Sequence, residues 1–197
     1  MRNLLTRRVF PALVGMAFFL FMAALYVLGL TPLYRGIIKL WGIHPFDFPF
    51  VDTDTVLSAI RCLNRGVDVY VANPCDVLER VYDYSPLWTV LTVFPMTPAW
   101  LPPIGMGVDM AFLLSLLLLP AGRTWQNTRW ITAGVVSSAT LFAVERGNND
   151  LVLFVLAAGA ATLVCRSAGC RLLAYGCALL AGLLKYFPMT LMLIGTR

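Results

Sequence analysis

Near its N-terminus the chain contains an apolar run that a water-soluble fold could not easily bury. From Val9 to Leu30 no residue carries a charge. An α-helix rises about 1.5 Å per residue, so about 20 apolar residues cross the hydrocarbon core of a bilayer. The run continues through Phe18, Phe21 and Tyr26 without the small-residue cleavage site of a signal peptide. The sequence therefore predicts an uncleaved first span over residues 9–30.

The overall composition indicates the same environment. The chain has 197 residues, of which 59% are hydrophobic and 13% are charged, and its mean hydropathy is +0.79. A soluble domain has about 25% charged residues. We therefore predict an all-α, polytopic membrane protein with one transmembrane domain, residues 1–197. The net charge of +5 comes largely from arginines at predicted helix ends, and no basic run alternates with aromatic side chains, which excludes nucleic acid as a partner.

A long polar segment, residues 31–85, follows the first span and is predicted to be an extracytoplasmic loop. Acidic residues outnumber basic ones in it, whereas Arg2, Arg7 and Arg8 precede the span. The positive-inside rule therefore places the N-terminus in the cytoplasm. The predicted location is a multi-pass cell membrane, such as a bacterial inner membrane.

Within this loop, the spacing of apolar residues predicts a short helix from Thr53 to Leu63. Asp52 is predicted to be its N-cap, and Gly66 lies where a glycine commonly follows a helix. We expect an amphipathic helix lying on the membrane surface.

The remaining residues, 86–197, are predicted to form further short spans. Their apolar segments are residues 86–101, 104–119, 130–144, 151–164 and 172–194. Pro188 interrupts the last segment and predicts a kink or two half-helices. If the loops containing Arg123 and Arg166, together with Arg197, lie inside, residues 86–120 must cross an odd number of times, so one segment there is re-entrant. Short, interrupted segments are typical of membrane proteins with a polar cavity at membrane depth.

The five cysteines have no metal-binding spacing. Cys62 and Cys75 share the polar loop, where they could form a disulfide or remain two free thiols. The other three lie in or beside apolar segments and are interpreted as small hydrophobic residues.

Asp52 and Asp54 are candidates for chemistry because they interrupt an apolar chain at a loop–helix junction. Such an aspartate commonly caps the helix, which stabilises it by about 1 kcal/mol. It could also act as a general base at the membrane boundary. The two side chains project in different directions on a helix, so only one of them is expected to face a cavity.

A second polar group is the segment "ERGNND", residues 145–150, between two apolar segments. It is compatible with a plain turn. Alternatively, its asparagines could bind sugar hydroxyls and Arg146 could bind a phosphate. Lys185 stands alone in an apolar segment, where it either extends to the interface or binds a lipid phosphate.

Common soluble-enzyme motifs are absent from the sequence. His44 is the only histidine, so neither a histidine-based metal site nor a Ser–His–Asp triad is expected. The chain also has no GxSxG, HExxH or P-loop. No cofactor is expected, although a divalent cation stays open.

Taken in order, the polar motifs resemble those of the GT-C superfamily of membrane glycosyltransferases, and most closely glycosyltransferase family 87. The matching elements are Asp52 followed by Gly66 and Tyr70, then "YSPL" from Tyr84, "GNND" at residues 147–150, and the Lys185–Pro188 pair. The family motif reads "YPPL", and the chain has Ser85 in place of its first proline. It has Asn148 and Asp150 where the family has glutamine and asparagine.

The resemblance implies an inverting hexosyltransferase that takes a mannose-like sugar from a polyprenyl-phosphate donor. The acceptor would be a glycan or glycolipid outside the cytoplasm. Asp52 matches the catalytic position and would be the general base. The resemblance implies substrate-binding roles for the other motif residues and their neighbours, which are Asp54, Tyr70, Tyr84, Arg146, Asn148, Asp150 and Lys185.

Two other interpretations remain open at this point. Short, proline-broken segments also suit a transporter or flippase for a lipid-linked or polar solute. In addition, the resemblance covers only the N-terminal half of the family's length. The sequence therefore suggests a chain truncated at its C-terminus, which as a fragment could be inactive.

Overall fold

Helices form all of the regular secondary structure in the part of the chain that the computed structural model describes, which is residues 2–120, 122, 124–185, 188 and 190. The α-helices are α1 (Arg2–Val27), α2 (Thr31–Leu40), α3 (Val51–Leu63), α4 (Leu101–Ser115), α5 (Trp125–Val135), α6 (Ser138–Arg146), α7 (Asp150–Leu163) and α8 (Ala168–Leu184). Three 3-10 segments, Pro86–Val93, Pro98–Trp100 and Leu116–Leu118, lie between them. These residues contain no strand, which confirms the all-α prediction for them.

Two helical stretches are long and apolar enough to cross a membrane. Leu4–Val27 has 24 residues, and Pro98–Leu118, which contains α4, has 21. The first begins earlier than the predicted span of residues 9–30. The helices α7 and α8 are also apolar but shorter. The number and direction of crossings stay predictions.

Residues 86–101 do not form one continuous helix, and the predicted re-entrant segment within residues 86–120 stays a prediction. Pro86–Val93 is a 3-10 helix of 8 residues, and a 3-10 helix rises about 2 Å per residue, so it is far shorter than the roughly 30 Å hydrocarbon core. Pro95 and Pro98 follow it and cannot donate backbone hydrogen bonds, which prevents a continuous helix.

The predicted segment 130–144 is also divided in the structure, because α5 ends at Val135 and α6 begins at Ser138. Ser137 causes the second start by capping α6, since its side chain accepts a hydrogen bond from the backbone N–H of Thr140.

The helix α8 ends at Leu184, and Lys185 has an extended backbone. The helix therefore stops before Pro188, where the sequence predicts an interruption. Whether a second half-helix follows lies outside the described residues. The predictions that concern Arg123 and Arg197 lie outside them as well.

The helix α3 lies inside the protein rather than on its surface. Of its 13 residues, 11 are buried, including both aspartates. Its apolar side packs on Val69 and Tyr82 of the following loop, and a disulfide joins Cys62 at its end to Cys75. The prediction of a surface amphipathic helix is therefore wrong. Its polar residues are buried against polar partners, so they do not mark a water-facing side.

Phe50 fixes the start of α3. It adopts the left-handed backbone conformation, with φ of 66°, and its ring lies against Gly105 of α4. A Cβ atom at Gly105 would come within 2.3 Å of that ring. The glycine therefore allows α4 to approach the segment that leads into α3.

This close approach gives a prediction with a matched control on the same helix. Gly105→Ala is expected to destabilise the protein by about 1–3 kcal/mol, because the new methyl overlaps a buried ring. Gly107→Ala is expected to stabilise it by about 0.5–1 kcal/mol, since a Cβ there meets nothing within 4 Å and alanine favours helix. Thermal unfolding in detergent measures both. Equal shifts for the two variants would contradict the predicted contact.

Candidate functional site

The carboxylate of Asp52 is held by two partners at the N-terminal turn of α3. Asn148 Nδ2 donates a hydrogen bond to Asp52 Oδ2 at 2.7 Å, although the residues are 96 positions apart. Arg80 Nη1 lies 3.6 Å from Asp52 Oδ1. The predicted capping role is wrong, because α3 begins at Val51 and Phe50 occupies the N-cap. A carboxylate in the first turn is nevertheless favoured by the helix dipole.

The turn between α6 and α7 brings Asn148 to this place. Gly147 ends α6 in the left-handed conformation, with φ of 55°. Its carbonyl accepts a hydrogen bond from Thr53 Oγ1 at 2.7 Å, and the Phe50 N–H donates to the Glu145 carbonyl at 2.8 Å. These two bonds fix the turn against the start of α3. Gly147 is required, since a Cβ there would lie 2.4 Å from Thr53 Oγ1.

From Asn148 the polar contacts continue to Lys185. The Asp150 N–H donates to Asn148 Oδ1 at 2.8 Å, and Lys185 Nζ lies 2.7 Å from Asp150 Oδ1. The last pair is partly exposed, at 40% and 47% of the two side chains. These contacts connect four of the residues that the sequence motifs grouped together, namely Asp52, Asn148, Asp150 and Lys185. We call them the Asp52 row.

Arg80 belongs to the site but was not identified from the sequence. Its guanidinium is 3.0 Å from both carboxylate oxygens of Asp76 and 3.1 Å from the Val51 carbonyl, and it also donates to Thr55 Oγ1. Burial acts to raise the pKa of Asp76, but the hydrogen bonds from Arg80 lower it overall. Asp76 and Arg80 are four residues apart, a spacing that favours an ion pair on a helix. The segment was interpreted as a loop, so this spacing was only a weak indication of the pair.

Asp54 faces away from this row. Its Oδ1 is 3.1 Å from Arg61 Nη2, and only 5% of its side chain is exposed. Burial raises its pKa, although Arg61 acts in the opposite direction. This placement does not support the predicted substrate-binding role of Asp54. Asp54 supports α3, and the structure does not place it among the partners of Asp52.

The two tyrosines of the motifs lie at opposite ends of a row of three rings. Tyr84 packs on Tyr82 at 5.8 Å between ring centroids, and Tyr82 packs on Tyr70 at 5.6 Å. Burial, followed by the Asp52 carboxylate, raises the pKa of Tyr84 to about 12. Of the two motif tyrosines, Tyr84 is thus the one on which Asp52 acts.

Arg146 does not join the row. Its guanidinium carbon lies 4.0 Å from the ring centroid of Phe142 and 4.7 Å from that of Phe46, which are cation–π distances. The prediction that Arg146 binds the phosphate is not supported by this placement. Among the described residues, Arg80 is the cation in salt-bridge contact with Asp52.

Glu145 precedes Arg146 and gives a pH-dependent prediction. Burial raises its pKa from 4.5 to about 7, while Arg146 and the Phe46 backbone act to lower it. The folded protein therefore keeps this proton between about pH 4.5 and 7, where the unfolded chain has lost it. Stability from this group is complete below pH 4.5 and is lost as the pH rises to 7, by roughly 3 kcal/mol.

Glu145→Gln is expected to remove most of this decrease, because glutamine cannot ionise. Chemical unfolding at pH 4.5 and pH 7.5 measures it. Glu79→Gln is the matched control, since Glu79 is exposed. A Glu145→Gln profile that parallels the control would contradict the prediction.

The Asp52 carboxylate can accept a proton in a site that also contains the positively charged side chains of Arg80 and Lys185. A carboxylate is a suitable general base when the donor hydroxyl comes within about 2.6–3.2 Å. Asn148 orients the carboxylate, while Arg80 and Lys185 carry the positive charge. In the described part of the chain, no group of three or more His, Cys, Asp or Glu side chains is placed to hold a metal ion.

Comparison of the chain with protein-family models, with curated proteins and with solved structures gives no match. Evidence on function therefore comes from the residues of this chain and from their geometry.

Proposed function

We propose that the protein is a membrane glycosyltransferase that moves a mannose-like hexose from a polyprenyl-phosphate donor to an acceptor hydroxyl outside the cytoplasm. The observation that carries the proposal is the 2.7 Å hydrogen bond from Asn148 to Asp52, which joins two motifs 96 residues apart. The same row reaches Lys185. If Asp52 served only to cap a helix and Asn148 only to form a turn, a direct hydrogen bond between them would not be expected.

In the proposed reaction, Asp52 takes the proton of the acceptor hydroxyl as its oxygen attacks the anomeric carbon. The bond from that carbon to the phosphate oxygen breaks, and the polyprenyl phosphate leaves with the electron pair. Attack opposite to the leaving group inverts the anomeric configuration. Asn148 holds Oδ2 of the base in place, so that Oδ1 is the oxygen nearer to Arg80.

The leaving phosphate carries negative charge and needs cations placed in advance. We assign this role to Arg80 and Lys185, and no longer to Arg146. Arg80 is 32% exposed and Lys185 40% exposed, so both can be reached by a ligand. Asp150 positions Lys185 and is available to sugar hydroxyls. Tyr84 lines the same region, close to Asp52.

The membrane setting supports this donor. Two helices are long and apolar enough to cross a bilayer, and a polyprenyl chain would lie beside them. We place the N-terminus in the cytoplasm and the Asp52 site on the opposite side, in a multi-pass arrangement. The acceptor would be a glycan or a glycolipid.

The experiment is a transfer assay on the full chain reconstituted in liposomes. The donor is polyprenyl-phosphate mannose with a labelled sugar, and the acceptors are a glycolipid extract and water. We expect labelled glycolipid, or slow release of labelled sugar to water, and no transfer from a nucleotide sugar. Movement of the donor across the bilayer without a new glycosidic bond would contradict the proposal and favour a transporter.

A further inference from the structure

An apolar cavity of about 270 Å³ lies among the helices α1, α2, α4, α5 and α6. Its size is near the lower end of small-molecule pockets, which are roughly 300–1,000 Å³. Apolar side chains form most of its wall, such as Met22 of α1, Ile38 of α2, Met106 of α4 and Leu141 of α6. It therefore suits a hydrocarbon chain rather than a sugar.

Two carboxyl groups interrupt this apolar wall. Asp109 of α4 is 0% exposed, and neither of its carboxyl oxygens has a hydrogen-bond partner among the described residues. Glu145 of α6 is 6% exposed. Tyr34 of α2 lines the same cavity, and its burial raises its pKa, with smaller contributions from Glu145, Tyr26 and Asp109. A buried polar group without a partner is costly and needs an explanation.

The cavity can be entered from an apolar surface. Four residues of its wall are themselves exposed, namely Tyr26, Val27, Pro102 and Met106. They belong to the two helical stretches that are long enough to cross a bilayer, Leu4–Val27 and Pro98–Leu118. A ligand would therefore enter sideways, from the hydrocarbon phase.

The charge of the wall selects the head group of that ligand. No lysine, arginine or histidine occurs among the described residues that line the cavity, whereas two acids do. The wall offers a phosphate no cationic partner, so this is not where the proposed donor places its head group. A primary ammonium has three N–H donors and can serve the unpartnered oxygens of Asp109 through charge-assisted hydrogen bonds.

We propose that this cavity binds an amphiphile with a primary ammonium head, whose nitrogen donates to Asp109 while its chain leaves between α1 and α4. Asp109 is not a member of the Asp52 row, and the binding does not depend on the proposed transfer reaction.

The test measures binding of labelled dodecylamine to the full chain in lipid nanodiscs, with dodecanol and dodecyl phosphate as competitors. Dodecylamine is expected to bind at least tenfold more tightly than either competitor. Asp109→Asn is expected to weaken dodecylamine by about tenfold or more and to leave dodecanol nearly unchanged. Asp47→Asn is the control, because it removes the same charge from a side chain that is 95% exposed.

A second variant keeps the test decisive if Asp109→Asn does not fold. Ala23 lines the cavity, and Ala23→Phe is expected to fill it and to abolish saturable binding of dodecylamine. Circular dichroism and gel filtration show that each variant is folded. The proposal is overturned if dodecylamine binds no better than dodecanol, or if a folded Asp109→Asn or Ala23→Phe protein binds it as the unmodified chain does.

Discussion

Asp52→Asn is expected to lower the rate of sugar transfer by about 10²–10⁴-fold, which is the usual contribution of a general base. The asparagine has the same shape and keeps an oxygen that can accept the hydrogen bond from Asn148. It cannot take a proton from the acceptor. The loss is therefore expected in kcat, with little change in KM for the donor and in thermal stability.

Two further variants separate this effect from a general loss of negative charge. Asp83→Asn removes an exposed aspartate from the loop that follows α3 and is expected to be fully active. Asp54→Asn changes the neighbouring acid, whose partner is Arg61. Its activity per folded molecule is expected to stay near normal. If Asp52→Asn transfers sugar at the normal rate, Asp52 is not the base.

The second large effect concerns stability. Arg61→Met is expected to destabilise the protein by about 3–5 kcal/mol, because it leaves the Asp54 carboxylate buried without its ion-pair partner. The two side chains are only 12% and 5% exposed, so little water can replace the lost contact. Arg61 Nη2 also donates to the Cys75 carbonyl at 3.3 Å. Urea unfolding in detergent measures the change.

The double variant Asp54→Asn/Arg61→Met tests the cause. It is expected to recover a large part of the lost stability, because no unpaired charge remains buried. Arg65→Met is the matched control, since Arg65 is exposed just after α3. An equal loss in the single and double variants would show that packing of the arginine chain, rather than its charge, is what matters.

The sequence was sufficient for the position of the principal helices but not for their surroundings. The predicted helix of residues 53–63 is present as Val51–Leu63, and the first apolar run lies within a long helix except for residues 28–30, because α1 ends at Val27. Helical spacing and apolar length are local properties, so they can be read without the fold. The burial of α3 could not be read. Its polar side chains Asp52 and Thr53 contact Arg80 and Gly147, which lie outside the helix, and those pairings are made only by the complete fold.

The candidate site was predictable in part, for a similar reason. The order of the motifs placed Asp52, Asn148, Asp150 and Lys185 in one group, and the structure connects them. The choice of Arg146 failed, because the side chain of the last residue of α6 turns onto two phenylalanine rings. Arg80 was missed, because its contacts with Asp76, Val51 and Thr55, which orient it towards Asp52, are made only in the folded chain.

The row from Asp52 to Lys185 also has a consequence for how the protein is made. Asp52 comes from α3, Asn148 and Asp150 from the start of α7 and the turn before it, and Lys185 from the end of α8. No short segment of the nascent chain therefore contains all four residues. Contacts between residues this far apart form late, because the intervening chain must be closed first. During synthesis Asp52 is therefore present long before Asn148, Asp150 and Lys185. A ribosome-bound chain that has not reached the end of α8 would contain Asp52 without the complete row around it.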